Sequence, residues 1–266
     1  KPNGLAGSRG VLLSRSKNEF NDNINFIKNN YSNSEILIEE MIEGDQISSE
    51  HIIYEGQVFT FGLALRNYED SKNFYPHIIE NGGIQCHPKV LKILEDIEKC
   101  VNTISNKLNI NNSILKFDLI IKKDKIYILE MATRMSGGDF ASSIIPLSIG
   151  TDYITIAIES LIKQKDCIDI LKQKSIKKEK KYLLVSNRYL MPEKEGVFSD
   201  IIWPKENYLK IEEFLMKKEK YKKPTHHGER MAVFVLSDYI LSNLEKRIKN
   251  VYRSLIINYE NNWRNK

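Results

Sequence analysis

The chain has 266 residues, of which 41% are hydrophobic, so it can bury a substantial core, and a disordered chain is excluded. It carries 40 basic and 35 acidic residues, and its three cysteines are widely spaced without a CxxC motif. Such cysteines indicate neither a disulfide framework nor a zinc site. We therefore expect a reducing, cytoplasmic location, and no membrane partner, because no run approaches the roughly 18 apolar residues that a membrane helix needs.

Much of the excess positive charge lies in two runs, at residues 172–181 and 217–223. A nucleic-acid surface favours basic residues that alternate with aromatic ones on a single element. Blocks of like charge are more typical of solvated linkers. We therefore expect no nucleic-acid partner, and keep nucleic-acid binding as a rival hypothesis that rests on these runs alone.

Hydrophobic periodicity and turn residues predict the first half of the chain as a glycine-rich loop at 1–15, a helix at 17–29, and strands at 36–42, 47–54 and 58–65. The polar stretch 67–87 is more typical of a long functional loop than of a core element. A single amphipathic helix is predicted at 90–108, because its apolar residues fall on one stripe.

The second half is predicted as a hairpin of strands at 115–121 and 126–131, an irregular loop at 134–138, apolar helices up to residue 164, strands at 182–190 and 231–236, and a helix at 241–258. Helices combined with antiparallel hairpins indicate an α+β fold. A small C-terminal subdomain is expected to begin near residue 180, after the first basic run.

The glycine-rich loop at the start of the chain contains Lys1 followed by Gly4, Gly7, Ser8 and Gly10. Glycine lets backbone N–H groups approach a polyphosphate, and a preceding lysine supplies a positive charge for its oxygens. The spacing matches neither the Rossmann fingerprint nor the Walker A loop, and a plain turn explains it equally well. Since the chain lacks an initial Met and enters this loop directly, we expect a fragment without the preceding strand.

The predicted hairpin carries two acids, Asp118 and Glu130. A three-residue loop at 123–125 would place them directly opposite each other, with Cβ atoms roughly 5 Å apart, so that they would need a cation between them. Mg²⁺ suits such oxygen ligands when a nucleotide supplies the others. The same register gives apolar pairs on the other face: Phe117–Met131, Leu119–Leu129 and Ile121–Tyr127.

A two-residue turn is the alternative, and it would place the two acids on opposite faces of the hairpin. We favour the cation site because Arg134 and a pair of glycines follow at once and offer further contacts to an anion. A third segment, the predicted strand at 36–42, ends in acidic residues and a turn. It could present backbone amides to an adenine edge, although by itself this is ordinary chemistry for a strand end.

Taken together, in this order and spacing, the three segments resemble the ATP-grasp superfamily, and the match runs from Lys1 to about Gly138. The resemblance is to the carboxylate–amine ligase branch that includes biotin carboxylase, carbamoyl phosphate synthetase, D-alanine ligase and amino-acid ligases. It implies part of a lid subdomain at 1–60, an antiparallel-sheet nucleotide-binding subdomain at 61–170 and a small α/β subdomain at 180–266. The implied cofactors are ATP and Mg²⁺, with Mn²⁺ as a substitute.

This resemblance also implies roles for individual residues. The ATP phosphates would be bound by Lys1 and the loop that holds Gly4, Gly7, Ser8 and Gly10. Adenine would be held by Glu39, Glu40, Met41 and Ile42. Gln46 stands where a ribose-binding acid is usual, which is a departure from the family pattern.

Asp118 and Glu130 are similar to the family's metal ligands. The final motif of the family usually reads Glu-x-Asn-x-Arg, whereas this chain has Ala132 between Glu130 and Arg134. The resemblance implies that Arg134 steadies the γ-phosphate and the acyl phosphate. Ala132 replaces a metal ligand, which leaves the number of metal ions open.

The implied reaction joins a carboxylate to an amine through an acyl phosphate, with release of ADP and phosphate. Candidates for substrate recognition are Arg66, Glu80, Ser136 and Gly137, which lie in polar loops. The expected partners are a small carboxylate and a small amine, and the sequence is compatible with a homodimer. A catalytically silent nucleotide-binding or scaffolding module is the rival, supported by the missing start, Gln46 and Ala132.

Overall fold

The computed structural model describes residues 1–162, 167–192, 194–214 and 219–260. Its strands are β1 (Asp45–Tyr54), β2 (Gln57–Arg66), β3 (Gly83–Gln85), β4 (Ser113–Lys122), β5 (Lys125–Ala132), β6 (Leu184–Leu190), β7 (Gly196–Ile202), β8 (Lys210–Glu213), β9 (Lys220–Tyr221), β10 (Ala232–Asp238) and β11 (Ile256–Tyr259). Eight of them form one antiparallel sheet in the order β5-β4-β1-β2-β3-β6-β10-β8. A smaller antiparallel sheet has the order β11-β7-β9.

The α-helices are α1 (Lys17–Asn30), α2 (Pro88–Leu91), α3 (Leu94–Lys107), α4 (Ile145–Ile149), α5 (Tyr153–Leu161), α6 (Cys167–Lys174) and α7 (Leu241–Ser254). A π-helical turn, Phe140–Ile144, leads into α4. The predicted helix at 17–29 is confirmed as α1. Its first turn is capped because the side chain of Ser16 accepts a hydrogen bond from the backbone N–H of Glu19.

The single helix predicted at 90–108 is wrong, because α2 and α3 are separate helices. The backbone of Ile93 leaves the helical region, with φ −109° and ψ 14°, and its N–H bonds the carbonyl of Val90, three residues back. The apolar stripe nevertheless continues across the break, with Val90, Ile97 and Val101 buried against the sheet. Periodicity therefore located the buried face correctly but did not reveal the bend.

The polar stretch 67–87 is not only a loop, because it contains β3, which connects the two halves of the large sheet. β3 pairs with β2 on one side and with β6 on the other. Gly82 precedes it with φ +70°, and a Cβ at this position would lie 2.0 Å from the carbonyl oxygen of Asn187. A three-residue strand is too short for the alternation of apolar and polar residues that predicts strands, so periodicity could not reveal it.

The C-terminal strands β6, β10 and β8 extend the same sheet instead of forming a separate one. The helix predicted at 241–258 is also corrected: it ends at Ser254, and the chain continues as β11, which pairs with β7. The strands predicted at 182–190 and 231–236 are confirmed as β6 and β10. The division of the chain into three subdomains stays a prediction.

The buried apolar residues form two cores. The larger core includes Phe61, Phe117 and Tyr153 and lies around β1, β2 and β4. The smaller one includes Phe198 and Phe234 and lies under α7. Within the described ranges, no single helix is long and apolar enough to span a membrane; Phe140–Ile149 and Tyr153–Leu161 reach that length only together, across a bend of 109°. The mixed architecture confirms the predicted α+β class.

Candidate functional site

The two predicted metal ligands lie on the hairpin of β4 and β5. Asp118 pairs with Glu130 across the strands, as expected. The expected three-residue loop is wrong, however, because Lys122 pairs with Lys125 and leaves a two-residue turn. Its residues Lys123 and Asp124 both have positive φ, 47° and 62°, which is the geometry of a tight hairpin turn.

The acids face each other in spite of the short turn because β5 contains a bulge. The register shifts between Asp118 and Leu119, and one extra residue of β5 returns Glu130 to the face of Asp118. On the other face, the expected pair Phe117–Met131 is confirmed, and the remaining pairs are Leu119–Ile128 and Ile121–Ile126 instead of Leu119–Leu129 and Ile121–Tyr127. The sequence thus predicted the carboxylate pair correctly through an incorrect turn.

Sequence reasoning missed Lys116, which lies between the two carboxylates. Its ammonium forms an ion pair with Asp118 and lies 3.7 Å from Oε1 of Glu130. Ser48 on β1 donates a hydrogen bond of 3.1 Å to Oδ1 of Asp118. The lysine is buried, with 8% of its surface exposed, whereas the side chain of Glu130 is 54% exposed. The available signal was the spacing of Lys116 and Asp118, since residues two apart share a strand face.

Four residues of the glycine-rich loop have positive φ, a backbone conformation that glycine adopts easily. Gly4, Gly7, Ser8 and Gly10 have φ values of 81°, 66°, 64° and 69°. At Gly10 a Cβ would lie 2.7 Å from the ring of Pro2 and 2.8 Å from Tyr31, so only glycine fits without movement. The hydroxyl of Ser8 donates to the carbonyl of Ile78, which fixes the loop against the stretch before β3.

The strand predicted at 36–42 is wrong. This segment runs beside the first residues of the chain through hydrogen bonds of 2.9 and 2.8 Å between Lys1 and Leu37, but forms only an isolated bridge, between Pro2 and Ile36. Too few pairs form for a ladder, so its apolar residues do not enter the core. Met41 and Ile38 are 46% and 65% exposed.

The predicted adenine-binding residues lie in this extended segment. Glu39 forms an ion pair with the Lys1 ammonium, which brings two predicted nucleotide-binding residues together. Glu40 is exposed, Ile42 is half-buried, and Gln46 lies at the start of β1, opposite Ile120.

The loop after β5 contains Arg134, Ser136 and Gly137. Arg134 is exposed, and its guanidinium donates a 3.0 Å hydrogen bond to the carbonyl of Met135. The backbone N–H of Ser136 donates a 2.9 Å hydrogen bond to Oε1 of Glu50, a fully buried residue that was not predicted. Burial raises the pKa of Glu50, although Ser136, Tyr153 and Lys116 oppose the shift. Glu50 thus anchors the loop, and Gly137 has no atom within 4 Å of where a Cβ would lie.

Arg66 and Glu80, the predicted substrate residues, form part of a buried network. Oε2 of Glu80 lies 3.0 Å from the guanidinium nitrogens of both Arg66 and Arg230. Arg230 also donates a 2.7 Å hydrogen bond to the backbone carbonyl of Glu80 and lies 3.6 Å from the ring centre of Tyr189. Arg230 was not predicted, because 150 residues separate it from Glu80 and no local pattern connects them.

His227 connects this network to the glycine-rich loop. Its Nε2 accepts a 3.1 Å hydrogen bond from the backbone N–H of Glu80, and its own backbone N–H donates to the carbonyl of Gly7 at 2.9 Å. Arg66 belongs to the same network. Burial would lower the pKa of its guanidinium, but the negative charges of Glu80 and, more weakly, of Asp118 raise this pKa. Direct contacts therefore link the glycine-rich loop to the buried network, and Arg66 of that network also experiences the negative charge of Asp118.

Residues 1–143, more than half of the chain, match the ATP-grasp domain family. The chain therefore belongs to the ATP-grasp family. No curated protein matches it.

The solved structures that the chain resembles agree with this family. The L-amino acid ligase of Bacillus licheniformis superposes with a TM-score of 0.77 at 15% identity, over 94% of this chain and 62% of the ligase. The phosphoribosylglycinamide synthetase of Anaerococcus prevotii superposes with a TM-score of 0.67 at 18% identity, over 92% of this chain and 61% of the synthetase. The biotin carboxylase domain of the Hydrogenobacter thermophilus 2-oxoglutarate carboxylase was solved with MgADP, ADP and bicarbonate. It superposes with a TM-score of 0.64 at 15% identity, over 97% of this chain and 57% of that domain.

These similarities confirm the predicted ATP-grasp fold. The chain spans about three fifths of the length of the solved structures that it matches. At such identities the likeness concerns the fold, so the reaction has to be argued from the residues of the site.

Proposed function

We propose that this protein is an ATP-dependent ligase that joins a carboxylate to an amine through an acyl phosphate. The observation that carries the proposal is the opposed pair Asp118 and Glu130 on the hairpin of β4 and β5, with Arg134 four residues after Glu130. The glycine-rich loop adds four residues with positive φ, and His227 ties it to the network around Glu80. The similarity to an L-amino acid ligase and to a phosphoribosylglycinamide synthetase supports the same class of reaction.

The carboxylate pair suits Mg²⁺. Asp118 and Glu130 are close enough for one ammonium group to contact both, and the exposure of Glu130 leaves the pair accessible from solvent. No group of three or more Asp, Glu, His or Cys side chains within the described residues could hold a metal by itself. Mg²⁺ is commonly held by one or two carboxylates and completed by substrate phosphates and water. When bound there, it would neutralise phosphate charge; Mn²⁺ would serve equally.

The chain's own residues then position the reactants. Arg134 is exposed, and its guanidinium can bind the negative charge that develops on the transferred phosphoryl group. The loop around Gly4, Gly7 and Ser8 offers backbone N–H groups to the phosphates, and Lys1 adds a positive charge. A closed loop would also exclude water, so that an amine rather than water attacks the acyl phosphate.

Of the predicted substrate residues, we assign Arg66 to contact with the substrate carboxylate and Glu80 to a positioning role. The side chain of Arg66 is 25% exposed, whereas that of Glu80 is 3% exposed and already binds two arginines. Ser136 and Gly137 would line the same space through the loop that Glu50 anchors. The substrates are a small-molecule carboxylate and a small-molecule amine.

ADP release from Mg·ATP tests the proposal, measured with a panel of amino acids and other carboxylates in the presence of amine acceptors. We expect release that depends on the carboxylate and that falls about 100-fold in Glu130→Gln, because one metal ligand is lost. Glu179→Gln, which removes an exposed carboxylate elsewhere on the surface, is the matched control and should behave like the wild type.

The alternative is a nucleotide-binding module without catalysis. Ala132 and Gln46, which replace polar and acidic residues of the family pattern, favour it. Tight binding of Mg·ATP with no ADP release for any substrate would support this alternative over the ligase.

A further inference from the structure

Lys116 sits in an unusual place for a lysine. Its side chain is buried, and its ammonium contacts Asp118 and lies 3.7 Å from Glu130, the two residues proposed to bind the metal. Glu50, a third carboxylate, pairs with Lys116 across β1 and β4. A cation is therefore already part of the site that is proposed to receive one.

On its other side, Lys116 pairs with Ala132 across β4 and β5. Paired residues of neighbouring strands share a face and have Cβ atoms roughly 5 Å apart. The methyl group of Ala132 supplies no oxygen ligand. A long cationic side chain, that of Lys116, is therefore paired with the short apolar side chain of Ala132.

We propose that Lys116 is an internal cation that shares the carboxylate pair with a single divalent ion and takes the place of a second one. This inference rests on the proposed function. The ammonium already supplies one positive charge to the carboxylate pair, and one divalent ion would add two more. A second divalent ion would have no protein ligand at Ala132 and would be repelled by the ammonium.

The first consequence concerns the protein without nucleotide. The ammonium competes with a metal ion for Asp118 and Glu130, so free Mn²⁺ binds weakly to the wild type. Electron paramagnetic resonance of free Mn²⁺ measures this affinity directly, without any turnover. Lys116→Met should bind Mn²⁺ at least tenfold more tightly, because the competing charge is gone. Lys122→Met, which removes a lysine from the far end of the same strand, should not change the affinity.

The second consequence concerns the number of ions. With saturating non-hydrolysable ATP analogue, we expect the wild type to hold one Mn²⁺ per complex and the double variant Lys116→Met with Ala132→Asn to hold two. Two ions in the wild type, or an unchanged Mn²⁺ affinity in Lys116→Met, would overturn the inference. Should Lys116→Met fail to fold by circular dichroism, Lys116→Gln makes the same test, and Lys116→Arg should retain the weak wild-type affinity.

The two proposals fail in different ways. If the wild type binds no ATP analogue, the ligase proposal fails, while the measurement of free Mn²⁺ still decides the role of Lys116. If the analogue binds and Lys116→Met behaves like Lys122→Met, the ligase proposal stands and the internal cation is rejected.

Discussion

Two clusters of charged side chains in the large sheet use similar groups in opposite proportions. On β4 and β5, one ammonium, that of Lys116, faces the carboxylates of Asp118 and Glu130, whose side chains are 34% and 54% exposed. Beside β3, one carboxylate, that of Glu80, faces the guanidinium groups of Arg66 and Arg230, and its side chain is 3% exposed. The outer cluster has an excess of negative charge that solvent reaches, whereas the inner cluster has an excess of positive charge around a carboxylate that solvent does not reach.

The two clusters therefore differ in what their charge interactions do: one stabilises the fold and the other leaves a charge available for binding. Exposed ion pairs contribute little to folding, so Glu130, the exposed member of the outer cluster, can exchange its partner for a bound ion at small cost. A buried group of charges is costly to break, because the remaining partners are left unpaired in a poorly solvated place. We therefore expect substitutions in the inner cluster to affect stability and those in the outer cluster to affect binding.

The largest effect is expected for Glu80→Gln. It leaves Arg66 and Arg230 buried without their counter-ion, and should lower the free energy of unfolding by about 3–5 kcal/mol. Urea unfolding followed by circular dichroism measures the change. Glu95→Gln removes a carboxylate from an exposed pair with Lys178 and should unfold like the wild type. A Glu80→Gln protein as stable as the control would show that the inner cluster does not stabilise the fold.

The outer cluster should respond to Asp118→Asn through binding instead. The amide keeps the contact with Ser48 but loses the charge, so the affinity for Mg·ATP analogue should fall about 100-fold, equivalent to about 2.8 kcal/mol. The free energy of unfolding should fall less than in Glu80→Gln, because Glu130 remains as a partner 3.7 Å from the ammonium of Lys116. Titration calorimetry and urea unfolding give the two values. Asp124→Asn in the turn of the same hairpin is the control, and equal losses in both variants would remove the argument for a site at Asp118.

Part of the pH dependence of stability should come from His227, which contacts the inner cluster. Burial, helped by Arg230, lowers the pKa of His227 from 6.5 to about 4 in the folded protein. Because the unfolded chain then binds the proton more readily, the stabilisation is complete above pH 6.5 and is lost as the pH falls towards 4. Between pH 6.5 and 5 the loss should be about 1–2 kcal/mol.

Urea unfolding at several pH values tests this expectation. His227→Gln can still accept a hydrogen bond from Glu80 and cannot titrate, so its stability should decrease less steeply over the same interval. Identical slopes for the variant and the wild type would assign the pH dependence to other groups, such as the buried His51, whose pKa burial lowers to about 3.

The smallest effect is expected at the two-residue turn between β4 and β5. Lys123 and Asp124 both have positive φ, which strains residues other than glycine and asparagine. Replacing them by Asn and Gly should stabilise the protein by about 0.5–1 kcal/mol without changing the affinity for Mg·ATP analogue. A shift of the urea midpoint measures it. A lower affinity in this variant would mean that the turn, and not only the bulge, sets the carboxylate pair.

Features that depend on neighbours along the chain could be predicted from the amino-acid sequence. Alternating apolar residues predicted β1, β2, β4 and β5, and the apolar stripe placed Ile97 and Val101 on the buried face of α3. The order of glycines, acids and Arg134 indicated the ATP-grasp family, which the match of residues 1–143 confirmed. These signals are local because side-chain direction repeats every two residues in a strand and every 3.6 in a helix.

The tertiary structure decided what depends on residues that are distant in the sequence or on a single backbone irregularity. The bulge in β5 brings Glu130 opposite Asp118 across a turn that would otherwise separate them. The pairing of β3 with β2 and β6 brings Arg230 to Glu80 across 150 residues. Neither could be read from a pattern, because a one-residue shift reverses the face of every side chain that follows, and a buried ion pair has no periodicity at all.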